Sequence, residues 1–381
     1  QHATVSDPVS GDQTWEKVVS KNLGLDLNMF NNRLSLTTDF YIRDTKGILG
    51  KGKSLPSIYG ASEPQMNANN LRTKGYELVL GWRDSFKLAG STFSYGITGT
   101  FSDYTAEYTK CDNPTGLIGD PYVGKKYGEI WGYKVDGLFR NDKEAAEYAS
   151  RIDLSTVASG YYTATGAYGK GVRGGDIKYL DLNGDNIVNG GKGTLDDPGD
   201  RRVIGNSSPR YQYGASLNFS WYGFDVSVFM QGIGRLDWYP GADNLRFWGP
   251  YCRPYATFVP KNFMSQVWSE ENPDAYFPRA RAYTSLNSNS GTAYYTNDRY
   301  LQNLAYCRLK NLTIGYTIPR RLTSKVGIKE CRIYFSGENL ATWSALKSDF
   351  LDPEQAAADS DKKANVYPWC KTYSIGLNLT F

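Results

Sequence analysis

The 381-residue chain carries 43 Lys and Arg against 39 Asp and Glu, a formal charge of +4 at pH 7 with no long run of either sign; this removes the basic arm of a nucleic-acid binder and the acidic tail of a solvating segment. One histidine, His2, and five cysteines without a C-x-x-C spacing speak against a His-dependent triad, a zinc site or a dithiol redox motif. Thirty tyrosines, nine tryptophans and 40 glycines lean toward pleated surfaces and tight turns, and with a mean hydropathy of −0.51 no stretch approaches the roughly 18 apolar residues of a membrane helix, which leaves open a barrel whose strands hide only every second residue in lipid.

The chain starts QHATVSDPVSG, without an initiator Met, a signal peptide or a lipidation motif, and is therefore expected to be processed or to be part of something longer. Alternation begins at Leu23, Leu25, Leu27 and Met29 and resumes after Asn31-Asn32 in Leu34, Leu36, Thr38, Phe40 and Ile42, which predicts a hairpin. Tyr76, Leu78, Leu80 and Trp82 follow, then Phe93, Tyr95, Ile97 and Phe101 across the short polar RDSFKLAGS. Ala215, Leu217, Phe219 and Trp221 turn at Tyr222-Gly223 into Phe224, Val226, Val228 and Met230. Leu312, Ile314, Tyr316 and Ile318 lead through PRRLTSKVGIKE to Ile333 and Phe335, and the chain closes on KTYSIGLNLTF, with Tyr373, Ile375, Leu377, Leu379 and Phe381 on one face. These patterns predict nine strands.

The connections alternate short and long: NN, a stretch over about 46–71, RDSFKLAG, about 106–208, YG, about 233–303, PRRLTSKVGIKE, and about 346–369. Short turns on one side and long loops on the other are the asymmetry of an outer-membrane barrel, with lipid outside and a wet, polar lumen inside. The expected fold is all-β, an antiparallel transmembrane β-barrel with long extracellular loops. Nine strands with unlike ends do not close the even-numbered barrels of bacterial single chains. An open edge in lipid is costly, so further strands are expected before Gln1 and the chain is expected to be the C-terminal portion of a larger barrel.

In order, TWEKVVSKNLGLDLNMFNNRLSLTTDFYIRDTKGIL, NLRTKGYELVLGW, GDIKYLDLNGD, RRVIGNSSPRYQYGASLNFSWYGFDVSVFMQG, YCRLKNLTIGYTIP, RIYFSGENLATW and the terminal strand resemble the C-terminal half of the SusC/RagA-like TonB-dependent transporters of Bacteroidetes outer membranes. The resemblance implies a plugged barrel of about 22 strands in the outer membrane of a Gram-negative bacterium. It implies uptake of oligosaccharides or oligopeptides rather than enzymatic work, a SusD-like surface lipoprotein as lid, and energy from the TonB complex through a plug domain that this chain lacks. It also implies that the barrel-assembly machinery reads the terminal strand, with Tyr373 and Phe381 as insertion signal and lipid-facing anchor; the alternative is an ordinary hydrophobic strand end. Outside the family, the rivals are a secreted carbohydrate-binding or hydrolytic β protein and a passive porin.

Two loop segments carry chemistry. In DLNGDNIVNGGK, Asp181, Asn183 and Asp185 occupy positions 1, 3 and 5 of an EF-hand-type loop and Ile187 offers its carbonyl at position 7, a donor set for Ca²⁺. Asn186 stands where glycine makes the sharp turn and Lys192 where a bidentate Glu completes the shell, with Asp196, Asp197 or Asp200 downstream as substitutes; a plain Asx-rich turn is the other reading. In LDWYPGADNLRFWGPYCRPYATFVP, Trp238, Tyr239, Phe247, Trp248, Tyr251, Tyr255 and Phe258 accompany Arg246 and Arg253. Such rings stack on sugar or peptide groups and guanidinium groups bind carboxylates, so the stretch is expected to line a substrate path or partner contact, or else to bury the loop's own core or sit in the interfacial girdle. Glu129–Tyr133 and Tyr161-Tyr162 are weaker candidates of the same kind, and Glu270-Glu271 reads as solvated surface rather than a glycosidase pair.

Overall fold

The computed structural model describes residues 11, 13–51, 58, 64–163, 171–252, 255, 259–281, 284–286, 291–348, 350–358, 367 and 369–381. The alternating segments form nine long strands: β1 (Lys17–Met29), β2 (Leu34–Lys51), β3 (Gln65–Leu88), β4 (Ser91–Lys110), β5 (Arg210–Trp221), β6 (Phe224–Arg235), β7 (Tyr306–Thr317), β8 (Glu330–Ser344) and β9 (Thr372–Thr380). They make one antiparallel sheet in strict chain order, with β1 and β9 at its edges.

Register puts like with like across this whole wall. Met29, Leu34, Trp82, Ile97, Leu217, Val228, Leu312, Gly337 and Tyr373 stand opposite one another from β1 to β9. One residue along the strands, on the other face, runs Arg83, Gly96, Asn218, Ser227, Thr313, Ser336 and Ser374. A one-residue slip anywhere would exchange the two rows, so the polarity of the two faces pins the register. Among the described residues no core packs against the apolar row: Leu23 is 73% exposed, Tyr373 63% and Ile375 83%. A surface this continuous and apolar is not one that water covers. On β3 it runs from Tyr76 to Leu88, broken only at Asp84, about 40 Å along a strand and about 28 Å along the normal at a barrel tilt of about 45°, close to a hydrocarbon layer.

The hairpins at one end are tight. Ala89-Gly90 and Tyr222-Gly223 both take positive φ, 48° and 84° in the first, 48° and 83° in the second, the primed geometry that matches strand twist. Gly223 is required there, because a Cβ would lie 2.7 Å from the Thr317 carbonyl oxygen. RDSFKLAG therefore does not form a connection of its own: residues 83–88 stay in β3 and only Ala89-Gly90 turns. Charged residues at 83, 84 and 87 imitate a polar loop, but Arg83 faces the polar side and Asp84 sits 3.2 Å from Arg33. At the opposite end β2, β3 and β4 run past the apolar band into paired polar residues, such as Asp44 with Arg72 at 2.7 Å.

The long connections are folded rather than irregular. Residues 129–133 pair with 201–206, 135–138 with 177–179, and 237–238 with 302–303. Helix α1 (Asp142–Ala149) is capped at both ends of its first turn, since Asn141 accepts from the Glu144 amide at 2.9 Å and Glu144 accepts from the Arg140 amide at 2.7 Å. The main apolar core lies here, assembled from Phe139, Leu154, Ile177 and Tyr179 of the connection between β4 and β5 and Trp248, Phe277 and Tyr300 of the connection between β6 and β7.

Candidate functional site

The seam between these two connections is built on GDIKY. Gly175, at φ +85°, leaves room for the Trp268 ring, which a Cβ would meet at 2.3 Å, and Arg279 lies over that ring at 4.6 Å. Asp176 forms an ion pair with Arg281 at 2.6 Å, both almost fully buried. Ile177 and Tyr179 point into the core while Lys178 between them reaches Asp136 and Glu144. Arg281 also lies 4.1 Å over the Tyr161 ring, and burial pushes the Tyr161 hydroxyl up to about 12. Burial likewise pushes the Asp176 carboxyl above its ordinary value against the pull of Arg281.

Most of the aromatic candidates are consumed by this packing. Trp238, Tyr239, Phe247, Trp248 and Tyr251 are all buried. Trp248 stands edge-on to Phe247 and Tyr300, and its indole N–H donates to the Gly241 carbonyl at 3.0 Å. Tyr251 donates to the Pro278 carbonyl at 2.5 Å, and Tyr239 to the Tyr295 carbonyl at 3.0 Å while accepting from Asn297. Burying each such ring is worth about 2–3 kcal/mol, so they hold the loop layer together. Tyr133 and Tyr161 join the same core and Tyr162 packs against it. Tyr255 is 83% exposed, while Arg253 and Phe258 lie outside the described residues.

Arg246 is a candidate that lines a cleft. Asn244 caps the helical turn Leu245–Trp248 by accepting from the Phe247 amide at 3.0 Å, which turns Phe247 and Trp248 inward and leaves Arg246 half-buried at the rim. It lines a cleft of about 440 Å³ together with Phe263, Tyr276, Phe277, Lys347 and Phe350, a volume in the range of small-ligand sites. Beyond Arg246 the cleft continues into a space of about 680 Å³ bordered by Arg308 and Asp352. Gln302, buried, sets the geometry: it donates to the Tyr276 hydroxyl at 2.9 Å and accepts from the Lys347 amide at 3.2 Å. Ser348 donates to the Arg246 carbonyl at 3.2 Å and ties the last connection to the helical turn.

The Asx-rich segment is a closed network of turns. The two carboxylate oxygens of Asp181 accept from the Gly184 and Asn186 amides at 2.7 and 2.9 Å, and Asp185 accepts from Ile187 at 2.8 Å and from the Asn183 side chain at 2.9 Å. Fully buried Asp200 accepts from the Leu182 and Asn189 amides. Asn186 takes φ +65°, the left-handed position that glycine fills in an EF-hand loop. Among the described residues no group of three or more His, Cys, Asp or Glu side chains is arranged to hold a metal, and the carboxylate oxygens accept from backbone N–H groups and from the Asn183 side chain. The donor set fits a capped turn.

No family model matches the chain. Among curated proteins, TonB-dependent receptor P3 of Formosa agariphila is 25% identical over 399 residues, covering 99% of this chain and 35% of its own length. TonB-dependent receptor P26 of the same organism is 26% identical over 398 residues, and TonB-dependent receptor SusC of Bacteroides thetaiotaomicron 22% identical over 376 residues, 96% of this chain. The chain is homologous to the SusC-like TonB-dependent receptors. It spans about a third of the length of the curated relatives it matches. The solved structure of the RagAB peptide transporter superposes with a TM-score of 0.68 at 21% identity, over 99% of this chain and 37% of that one, so the chain shares the fold of that part of the transporter.

An outer-membrane location follows from the match to TonB-dependent receptors. Phe381 is 74% exposed and Tyr373 63%, both on the apolar face, with Tyr373 stacked on Phe335 across the last strand pair at 6.3 Å. Lys347, Tyr276, Gln302 and Ser348 were not expected at the site. No local pattern marks them: they meet only because two connections some 45 residues apart in sequence close over each other.

Proposed function

We propose that the chain is the wall and part of the extracellular loop layer of a TonB-dependent importer that takes up oligosaccharides or oligopeptides. The observation that carries the reading is the pairing of a nine-strand wall, apolar on one face and hydroxyl-lined on the other, with a folded loop layer at one end that bears an aromatic and cationic cleft. The cleft receives the nutrient, a SusD-like surface lipoprotein closes over it, and a plug domain coupled to the TonB complex opens the lumen. The hydroxyl-lined rows offer hydrogen bonds of similar strength along the wall, which favours passage over tight binding.

In this reading the chain performs no bond chemistry. Glu270 and Glu271, the adjacent acids, are both solvent-exposed and have no enclosed site in which to act on a glycosidic bond. The terminal strand, with Tyr373 and Phe381, serves as the signal for the barrel-assembly machinery, and the lipid it enters covers the same face. Removing Phe381 from the full-length protein should then lower the folded, heat-modifiable fraction in the outer membrane several-fold; an unchanged fraction makes it an ordinary strand end. The import reading is tested by growth on a defined glycan or peptide diet with TonB depleted and with the SusD-like partner deleted. Uptake that survives both losses contradicts it, and uptake that survives only the second favours a simple TonB-dependent receptor.

A further inference from the structure

We infer that the cleft between Arg246 and Lys347 is a carboxylate subsite, so that the captured ligand carries a carboxylate. This rests on the import reading above and names the chemistry of its ligand. Arg246 comes from the connection between β6 and β7 and Lys347 from the one after β8, and both line the same cavity with Phe263, Tyr276, Phe277 and Phe350. The acids of the adjoining space are already matched: Arg308 holds Asp352 and Glu354 at 2.6 Å each, and Lys310 holds Glu354 at 2.9 Å. Among the described residues Arg246 and Lys347 have no carboxylate partner; the Lys347 ammonium stands 4.7 Å from the Tyr276 ring centroid.

Two cations facing one half-enclosed cavity repel until an anion enters. A guanidinium presents parallel N–H donors that fit both oxygens of a carboxylate, and an ammonium adds a point charge. Backbone contacts bring the two loop segments to one cavity: Gln302 accepts from the Lys347 amide and donates to the Tyr276 hydroxyl, and Ser348 donates to the Arg246 carbonyl, so the segments themselves need little ordering on binding. Phe277 is core beneath the cavity and the Tyr276 ring carries the Lys347 ammonium, while Phe350 at the rim adds apolar lining. The carboxylate belongs either to a uronic acid of an acidic oligosaccharide or to the free end of a peptide, and the probes separate these sources.

The test uses the full-length transporter with its lipoprotein partner. Binding is measured for trigalacturonate against galactotriose, and for an N-acetylated tripeptide with a free C-terminus against its amide. At least one acidic probe should bind tenfold or more tighter than its neutral counterpart, and which one does so identifies the source. Arg246→Gln and Lys347→Gln, on separate loops, should each remove most of that ratio while leaving the neutral probe's affinity in place, and Arg246→Lys should restore part of it. Equal binding of acidic and neutral probes, no binding of either acidic probe, or an equal loss for both members of a pair overturns the subsite. Uptake of the native nutrient that remains TonB-dependent under such a result leaves the importer reading intact.

Discussion

Asp176 and Arg281 lie 2.6 Å apart with 1% and 2% of their side chains exposed, and they join the two long connections that make the loop layer. Neither charge has water to fall back on, so removing one partner strands the other. Arg281→Met in the full-length protein should destabilise the loop layer by about 3–5 kcal/mol while leaving the sheet folded. Limited proteolysis of intact cells should then cut within 111–209 or 236–305, and heat-modifiable mobility of the barrel should persist. Loss of both together would mean that wall and loops fold as one unit.

The same layer contains acids with opposite responses to pH. Burial outweighs Arg281 at Asp176 and raises its carboxyl, so its contribution to stability is present below the unfolded value and is lost as pH rises through the raised one. At Glu144, burial is outweighed by the Arg140 amide and the Lys178 ammonium, and the carboxyl is lowered. Its contribution is present above the ordinary value and is lost as pH falls through the lowered one. Acidification should therefore loosen α1 before it opens the seam. Hydrogen exchange across pH 3 to 7 should show earlier loss of protection at 142–149 than at 175–179, and the reverse order contradicts the assignment.

Neighbouring residues of β9 should differ sharply in tolerance. Ile375 is 83% exposed on the apolar face and faces Phe335, whereas Ser374 lies on the opposite face beside Ser336. Ile375→Lys should cost about 2–4 kcal/mol if its level is the bilayer midplane and reduce the folded fraction, while Ser374→Lys, pointing into water, should leave it near wild type. Comparable behaviour of the two variants would mean that the apolar face does not meet lipid.

Calcium removal should leave the turn at 181–187 in place. Asp181 and Asp185 are already engaged by the Gly184, Asn186 and Ile187 amides, so chelation should not change proteolytic resistance there, whereas Asp181→Ala, which orphans two amides, should lower it. A calcium-dependent rise in resistance would assign the ion to Asp181, Asn183, Asp185 and the Ile187 carbonyl.

The wall was legible in the chain because each strand carries its two environments as a two-residue repeat, and each tight turn carries its own residues, as Tyr222-Gly223 does. Where the reading misplaced a boundary, at RDSFKLAG, charged residues that face the polar side or a neighbouring strand resembled a loop; only the pairing of Arg83 with Gly96 distinguishes the two. The resemblance in GDIKYLDLNGD was visible as a string, and its physical content was not: Gly175 under Trp268 and Asp176 against Arg281 are contacts with residues about a hundred positions away.

Local alternation and turn chemistry thus determined nine strands, their two faces and the long and short ends, since these depend on neighbours along the chain and on the solvent outside it. Only the tertiary structure decided that Trp248 and Tyr251 are core while Arg246 is rim, because a ring in a long connection has the same sequence signature whether it stacks on a ligand or on Phe277. The cleft likewise exists only after packing: Arg246 and Lys347 are 101 positions apart, and what brings them to one cavity is the closure of two connections whose mutual fit no single stretch of sequence records.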